Sequence, residues 1–214
     1  ASSLSFVQDE KALEEINKIE VTLSQEEQID NACAALLNDY IRNLSLIGNP
    51  NEDADDKVLY EQAFTELFSN NDALIYNDID PEAKNKSFQA GNYIVQYRAL
   101  YPNGINNIHL NIDSAQFKPA LKAEDDTYYR YVYADKNFSG NYKGKQKHSS
   151  SENLVFKIVF SKEANSFQNF KISNIDQSAL SFYETAGLAK EDTATYSIKS
   201  IGRKGLSGGI TTTI

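Results

Sequence analysis

The chain has 214 residues, 41% of them hydrophobic, and a formal net charge of −9, with a pI near 4.8. That length holds one sizeable core with residues to spare for tails. The acidic balance argues against a general nucleic-acid or anionic-membrane binder, because phosphates would be repelled on average, and no apolar run approaches the roughly 20 residues that span a bilayer.

The charge is unevenly distributed. Residues 1–90 carry 19 Asp/Glu against 6 Lys/Arg, a net of −13; residues 91–214 carry 11 against 15, a net of +4. The apolar pattern changes near Gly104 too, from helical spacing to alternation. Helices first and strands afterwards predict an α+β fold, with N-terminal helices packed on a curved antiparallel sheet formed by the C-terminal half. The predicted domain runs over 24–176. Residues 1–23 read as an N-terminal extension or peripheral helix, and 177–214 as a C-terminal extension or linker. There is no Met, and Ala1-Ser2-Ser3 suits the mature side of a signal-peptidase cut. The expectation is an extracytoplasmic protein, periplasmic, outer-surface or secreted. High Asn and Lys usage fits a bacterial source.

In chain order, Ser24 and Glu27 form a candidate capping box. Behind them Ile29, Cys33, Leu36, Tyr40, Leu44 and Ile47 make one apolar stripe, ended by Gly48 and Pro50. The single Cys33 excludes an internal disulfide and reads as a small buried hydrophobe. A second helix, capped by Asn51 or Asp53, has acids in its first turns, where the helix dipole favours them. Leu59, Ala63, Leu67 and Phe64 or Phe68 are its expected inward residues. The run Asn51 to Asp56 lacks the central Gly of a calcium loop. Ala73 to Tyr76 is strand-like, and a third helix is expected over about Ser87 to Tyr101, carrying Tyr93 and Tyr97. Pro102-Asn103-Gly104 ends it.

Four strands follow: from Ile108, with His109 and Asp113 opposite in parity to Ile108, Leu110 and Ile112; Tyr128 to Tyr133; Leu154 to Phe160; and around Phe170 and Ile172. Ser139 to Glu152, rich in Gly, Lys and Ser, reads as a long mobile hairpin loop. His148 and its lysines would be solvated there, or would draw an anion with help from Arg130 and Lys136. Gly202 to Gly209 is linker-like, and Ile210 to Ile214 is β-prone.

Phe64 to Phe68, Ala73 to Tyr76 and Phe170 to Ile175, set in the order helix, helix, strand, helix, four strands, resemble the cone-shaped fold of nuclear transport factor two. Its superfamily includes ketosteroid isomerase, scytalone dehydratase and polyketide-cyclase-like proteins. The resemblance covers about residues 24–176. It implies a cavity between sheet and third helix, where enzymatic members place an acid or a His–Asp pair. Fold does not carry function, and no catalytic residue matches here. His109 and Asp113 lie four residues apart on a strand, about 13 Å, too far for a dyad.

The reading is therefore a non-catalytic binding or accessory module with an apolar pocket or an aromatic sheet face. The alternatives are a lyase or isomerase of the same fold, and a cell-surface interaction domain of a longer chain. Candidate ligand-binding residues are Tyr129, Tyr131, Tyr133, Tyr97 and His109. The tyrosines of the second strand either form an outward aromatic stripe or line the cavity with their hydroxyls. No catalytic residue, metal site or cofactor is assigned. The expected partner is a small apolar or amphipathic ligand or a protein. A binding module predicts no buried ionisable pair; an enzyme of this fold requires one.

Overall fold

A computed structural model describes residues 21–123 and 127–178, the side chains of 112–116 excepted. Of the expected extensions at 1–23 and 177–214, residues 1–20 and 179–214, with the Gly202 to Gly209 run, lie outside the described residues. Three helices precede the long strands. Helix α1 spans Leu23–Gly48 and α2 Ala54–Glu66; short strands β1 (Leu74–Tyr76) and β2 (Ser87–Gln89) lead into α3 (Ala90–Leu100). Then come β3 (Ile105–Phe117), β4 (Leu121–Lys122), β5 (Tyr128–Tyr142), β6 (Gln146–Glu163) and β7 (Ser166–Gln177).

The capping box of α1 sits two residues earlier than expected. Gln25 N–H donates to Thr22 Oγ1 (3.2 Å), and Thr22 N–H donates to Gln25 Oε1 (3.0 Å). The Gln25 amide also donates to Asn165 O in the β6–β7 turn. A tertiary contact thus favours this box over the one at Ser24 and Glu27. Asp53 caps α2 through the backbone N–H of Asp55. Leu59, expected inside, is 59% exposed, whereas Phe64 and Phe68 are buried. The third helix starts at Ala90, not Ser87, because Ser87–Gln89 pair antiparallel with β1. Gly91 lowers the helical preference just there.

The seven strands form one sheet in the order β2-β1-β7-β6-β5-β3, with β4 also paired to β5. The expected curved antiparallel sheet from the C-terminal half is corrected in three respects. The sheet is open and not curved round on itself, because β2 and β3 stand at opposite ends of the path. It is mixed, because β1 runs parallel to β7. Two of its strands come from the N-terminal half, since the link after α2 returns the chain along the β7 edge. The core is largely aromatic. Tyr40 packs at ring-centroid distances of 5.5 Å on both Phe64 and Phe156, and Phe64 stacks on Tyr93.

A second correction concerns Ser139 to Glu152. This stretch is not a mobile loop but the far half of a long hairpin, paired without interruption from Tyr128↔Phe160 to Tyr142↔Gln146. The turn is tight, with positive φ at Lys143 (51°) and Gly144 (73°), as right-twisted hairpins require. The parity that buries Val132 and Ala134 continues through Phe138, Gly140 and Tyr142. Loop-like composition concealed that continuity.

Candidate functional site

Three places in this frame bring polar chemistry together. The first is the outer side of β5. Buried Arg130, Val132 and Ala134 alternate with half-buried Tyr129, Tyr131 and Tyr133, so the three tyrosines face away from the helices, the outward one of the two arrangements expected. They pair across β6 with Val159, Lys157 and Val155. Tyr129 and Tyr131 meet edge to face at 5.8 Å. Lys157 stands 4.9 Å over the Tyr129 ring and Lys118 5.7 Å over Tyr133. The result is an aromatic and apolar patch with a basic fringe. Tyr97 does not join it: it lies buried in α3 and donates to Leu44 O at 2.9 Å. His109 is exposed on β3, opposite Asn137. The five candidate residues therefore divide among the outer face, the core and a sheet edge.

The second place is the inner side of the same strand. Lys136 and Asp78 form a fully buried ion pair, with side chains 0% and 1% exposed and Nζ 2.8 Å from Oδ2. Oδ2 has no other partner among the described residues. The lysine also donates to Tyr93 Oη (2.8 Å) and Tyr40 Oη (3.2 Å), and Tyr93 donates on to Asp78 Oδ1 (2.8 Å). Burial alone would lower the lysine's pKa, but Asp78 and Tyr40 outweigh it, and the pKa lies above its ordinary value. Burial and then Asp78 hold Tyr93 well above the ordinary phenol value. The expected absence of a buried ionisable pair is thus overturned. The signal was present in the sequence: Lys136 shares parity with Val132, Ala134 and Phe138.

Arg130 is also interior, not a helper of a solvated loop. Its guanidinium pairs with Glu26 and Asp30 of α1, and Nε–H donates to Lys118 O. Neither Arg130 nor Lys136 is available to an external anion.

The third place is a cleft of about 500 Å3 between the β1–β2 loop and the turn-proximal half of β6. There the inner face of the sheet changes from apolar Leu154 to Phe160 to polar His148, Ser150 and Glu152. His148 stacks on Tyr101 at 6.3 Å and meets Phe138 edge on at 5.7 Å. Its Nδ1 lies 2.7 Å from Tyr101 Oη, while that hydroxyl is 2.8 Å from Ile79 O. On the loop side Tyr142 donates to Asp80 Oδ1 (2.6 Å), and Lys143 pairs with Glu82. The expectation of His148 in a solvated charge run missed this setting, because it rested on the loop assignment.

No family model and no curated protein matches the chain. Two solved structures are similar. One is the Mtr2-Mex67 M domain complex of C. albicans, at TM-score 0.38 and 11% identity over 68% of this chain and 92% of that one. The other is Aln2 from a Streptomyces species, at TM-score 0.36 and 6% identity over 81% and 99%. No activity, ligand or partner is taken from likenesses at this level.

Proposed function

We propose that this is a non-catalytic interaction module that docks a protein partner on the outer face of its sheet. The observation that carries the reading is the outward row Tyr129, Tyr131 and Tyr133 on β5, on the side opposite the helices. Apolar surface of this kind, rimmed by polar residues, marks interaction sites, and tyrosine combines a large apolar area with a polar tip. Lys118 and Lys157 flank the row, so the fitting partner carries apolar groups beside carboxylates. Placement outside the cytoplasm belongs to the same proposal and rests on sequence pattern alone. Fractionation of the native host tests it.

The test of the interaction is a photo-crosslinking residue in place of Tyr131 in the full-length protein in its native host, with the same probe at Val95 on the helical side as control. The expected result is one protein adduct from position 131 and none from 95, lost when Tyr129→Ser and Tyr133→Ser are combined. No adduct at 131, or equal adducts at both positions, overturns the reading.

The lyase or isomerase reading is favoured by one observation, the buried Lys136–Asp78 pair. Against it stands the geometry. A catalytic acid or base must lie within about 3 Å of the proton that it moves, and this ammonium is enclosed by Asp78, Tyr40 and Tyr93 with no exposed atom. A turnover that Lys136→Met abolishes while the fold stays intact would favour the enzyme instead.

A further inference from the structure

The cleft between the β1–β2 loop and β6 is independent of the tyrosine face and lies on the other side of the sheet. The hydrogen-bond arrangement at its wall determines how His148 meets a ligand. The Tyr101 hydroxyl has one proton. Ile79 O can only accept, so the proton goes there, across 2.8 Å. The 2.7 Å contact with His148 then requires Nδ1 to carry a hydrogen and donate it to Tyr101 Oη. In the neutral ring that leaves Nε2 as a bare acceptor. It has no protein hydrogen-bond partner among the described residues, and His148 belongs to the cleft's lining. Stacking on Tyr101 and edge contacts to Phe138 and Tyr142 hold the ring in place.

The remaining lining selects the ligand class. Glu152 adds an acceptor, the Ser150 hydroxyl both gives and takes hydrogen bonds, and Lys86 adds a donor. An inorganic anion would face Glu152 and Asp80, and an organic cation would face Lys86. Among the described residues, no group of three His, Cys, Asp or Glu is placed to hold a metal ion. A neutral molecule rich in both donors and acceptors satisfies all these groups together, and the volume lies within the usual range of roughly 300–1,000 Å3 for ligand sites. Tyr76, also in the lining, can supply an apolar surface for the C–H face of such a molecule.

We propose that this cleft binds a neutral polyhydroxylated ligand, a carbohydrate residue, one of whose hydroxyls donates to Nε2 of His148. The test uses histidine-labelled protein and nitrogen-15 resonances. The chain has two histidines, so a His109→Gln background leaves His148 as the only signal. Without ligand, the expected pattern is a protonated Nδ1 and an unprotonated Nε2. Titration with glucose, galactose, N-acetylglucosamine and their methyl glycosides is expected to shift Nε2 saturably with at least one of them. Glu152→Gln and Ser150→Ala are each expected to weaken that binding about tenfold, a loss of about 1.4 kcal/mol. Tyr101→Phe should let the tautomers mix. Glu152→Gln, which buries no orphan group, keeps the test decisive if Tyr101→Phe unfolds. A protonated Nε2 in the free protein overturns the proposal. So does a response only to ethanolamine or phosphate, or to none of the probes.

Discussion

Lys136 shows how one buried charge can hold several distant pieces of chain together. It links the centre of β5 to the β1–β2 loop through Asp78 and to α1 and α3 through Tyr40 and Tyr93. Removing one member of such a pair strands the other in a low-dielectric interior, which costs about 3–5 kcal/mol. Lys136→Met is expected to destabilise by that amount in urea unfolding. The double change Lys136→Met with Asp78→Leu is expected to recover most of it, because no lone charge remains. Equal losses in the single and double variants would show that packing, not charge, sets the cost. Cys33 is the simpler case. It is fully buried, and burial pushes its thiol up to about 12, against a partial opposing effect of Arg130. Native protein is expected to resist a thiol reagent until it unfolds. Cys33→Ser is expected to cost on the order of 1–3 kcal/mol, for a hydroxyl buried in the core. Fast labelling under native conditions would contradict this.

The connection from α3 to β3 depends on the backbone at Gly104, where φ is +80°. A Cβ there would stand 2.2 Å from Gly48 O and 2.9 Å from the Pro50 ring. The first contact is with backbone at the end of α1, which cannot swing away as a flexible side chain could. Left-handed backbone costs a non-glycine residue roughly 1–2 kcal/mol before any clash. Gly104→Ala is therefore expected to lower stability by about 2 kcal/mol or more in denaturant unfolding, while Gly91→Ala, with open space around the added carbon, is expected to stabilise α3 by up to about 1 kcal/mol. A reversed order of the two variants would refute this account. The far half of the β5–β6 hairpin is the other element with a consequence. Its cross-strand pairing runs to Tyr142↔Gln146, so the amides of 138–142 and 146–150 that pair across it are expected to exchange slowly with solvent, not at loop rates. Rapid exchange throughout 139–152 would restore the mobile-loop reading and remove the cleft's wall.

For the whole molecule, alkaline pH is the sensitive direction. Burial raises the pKa of Tyr40, Tyr93 and Tyr97 above the ordinary phenol value of 10.0, and that of Cys33 above 9.0. Each group keeps its proton longer when folded than when unfolded. Below about pH 9 both states hold these protons and stability is unaffected by them. Above it the unfolded chain binds fewer protons than the native one, so stability falls as pH rises. Lys136, raised above 10.5, adds to the fall with the same sign. The urea midpoint is expected to decline between about pH 9 and pH 11. A flat midpoint across that interval would mean that the buried hydroxyls are not enclosed as described.

Period and parity in the sequence were enough for the order of elements, since amphipathic stripes and alternation express burial directly. Ile29, Cys33, Leu36, Tyr40, Leu44 and Ile47 all lie in the core, as their spacing requires. So do Leu110, Leu154, Phe156, Ile158 and Phe160. Local pattern could not show what depends on distant partners. Strand β2 exists because β1 lies beside it. The sheet is open and mixed because of where the chain returns after α2. The outward direction of Tyr129, Tyr131 and Tyr133 follows from which face of β5 the helices cover. Charged residues were the hardest to place. Lys136 and Arg130 are interior only because Asp78, Glu26 and Asp30 approach them from 58, 104 and 100 residues away along the chain. A charge enters a core when its partner arrives with it, and that pairing is a property of the folded chain.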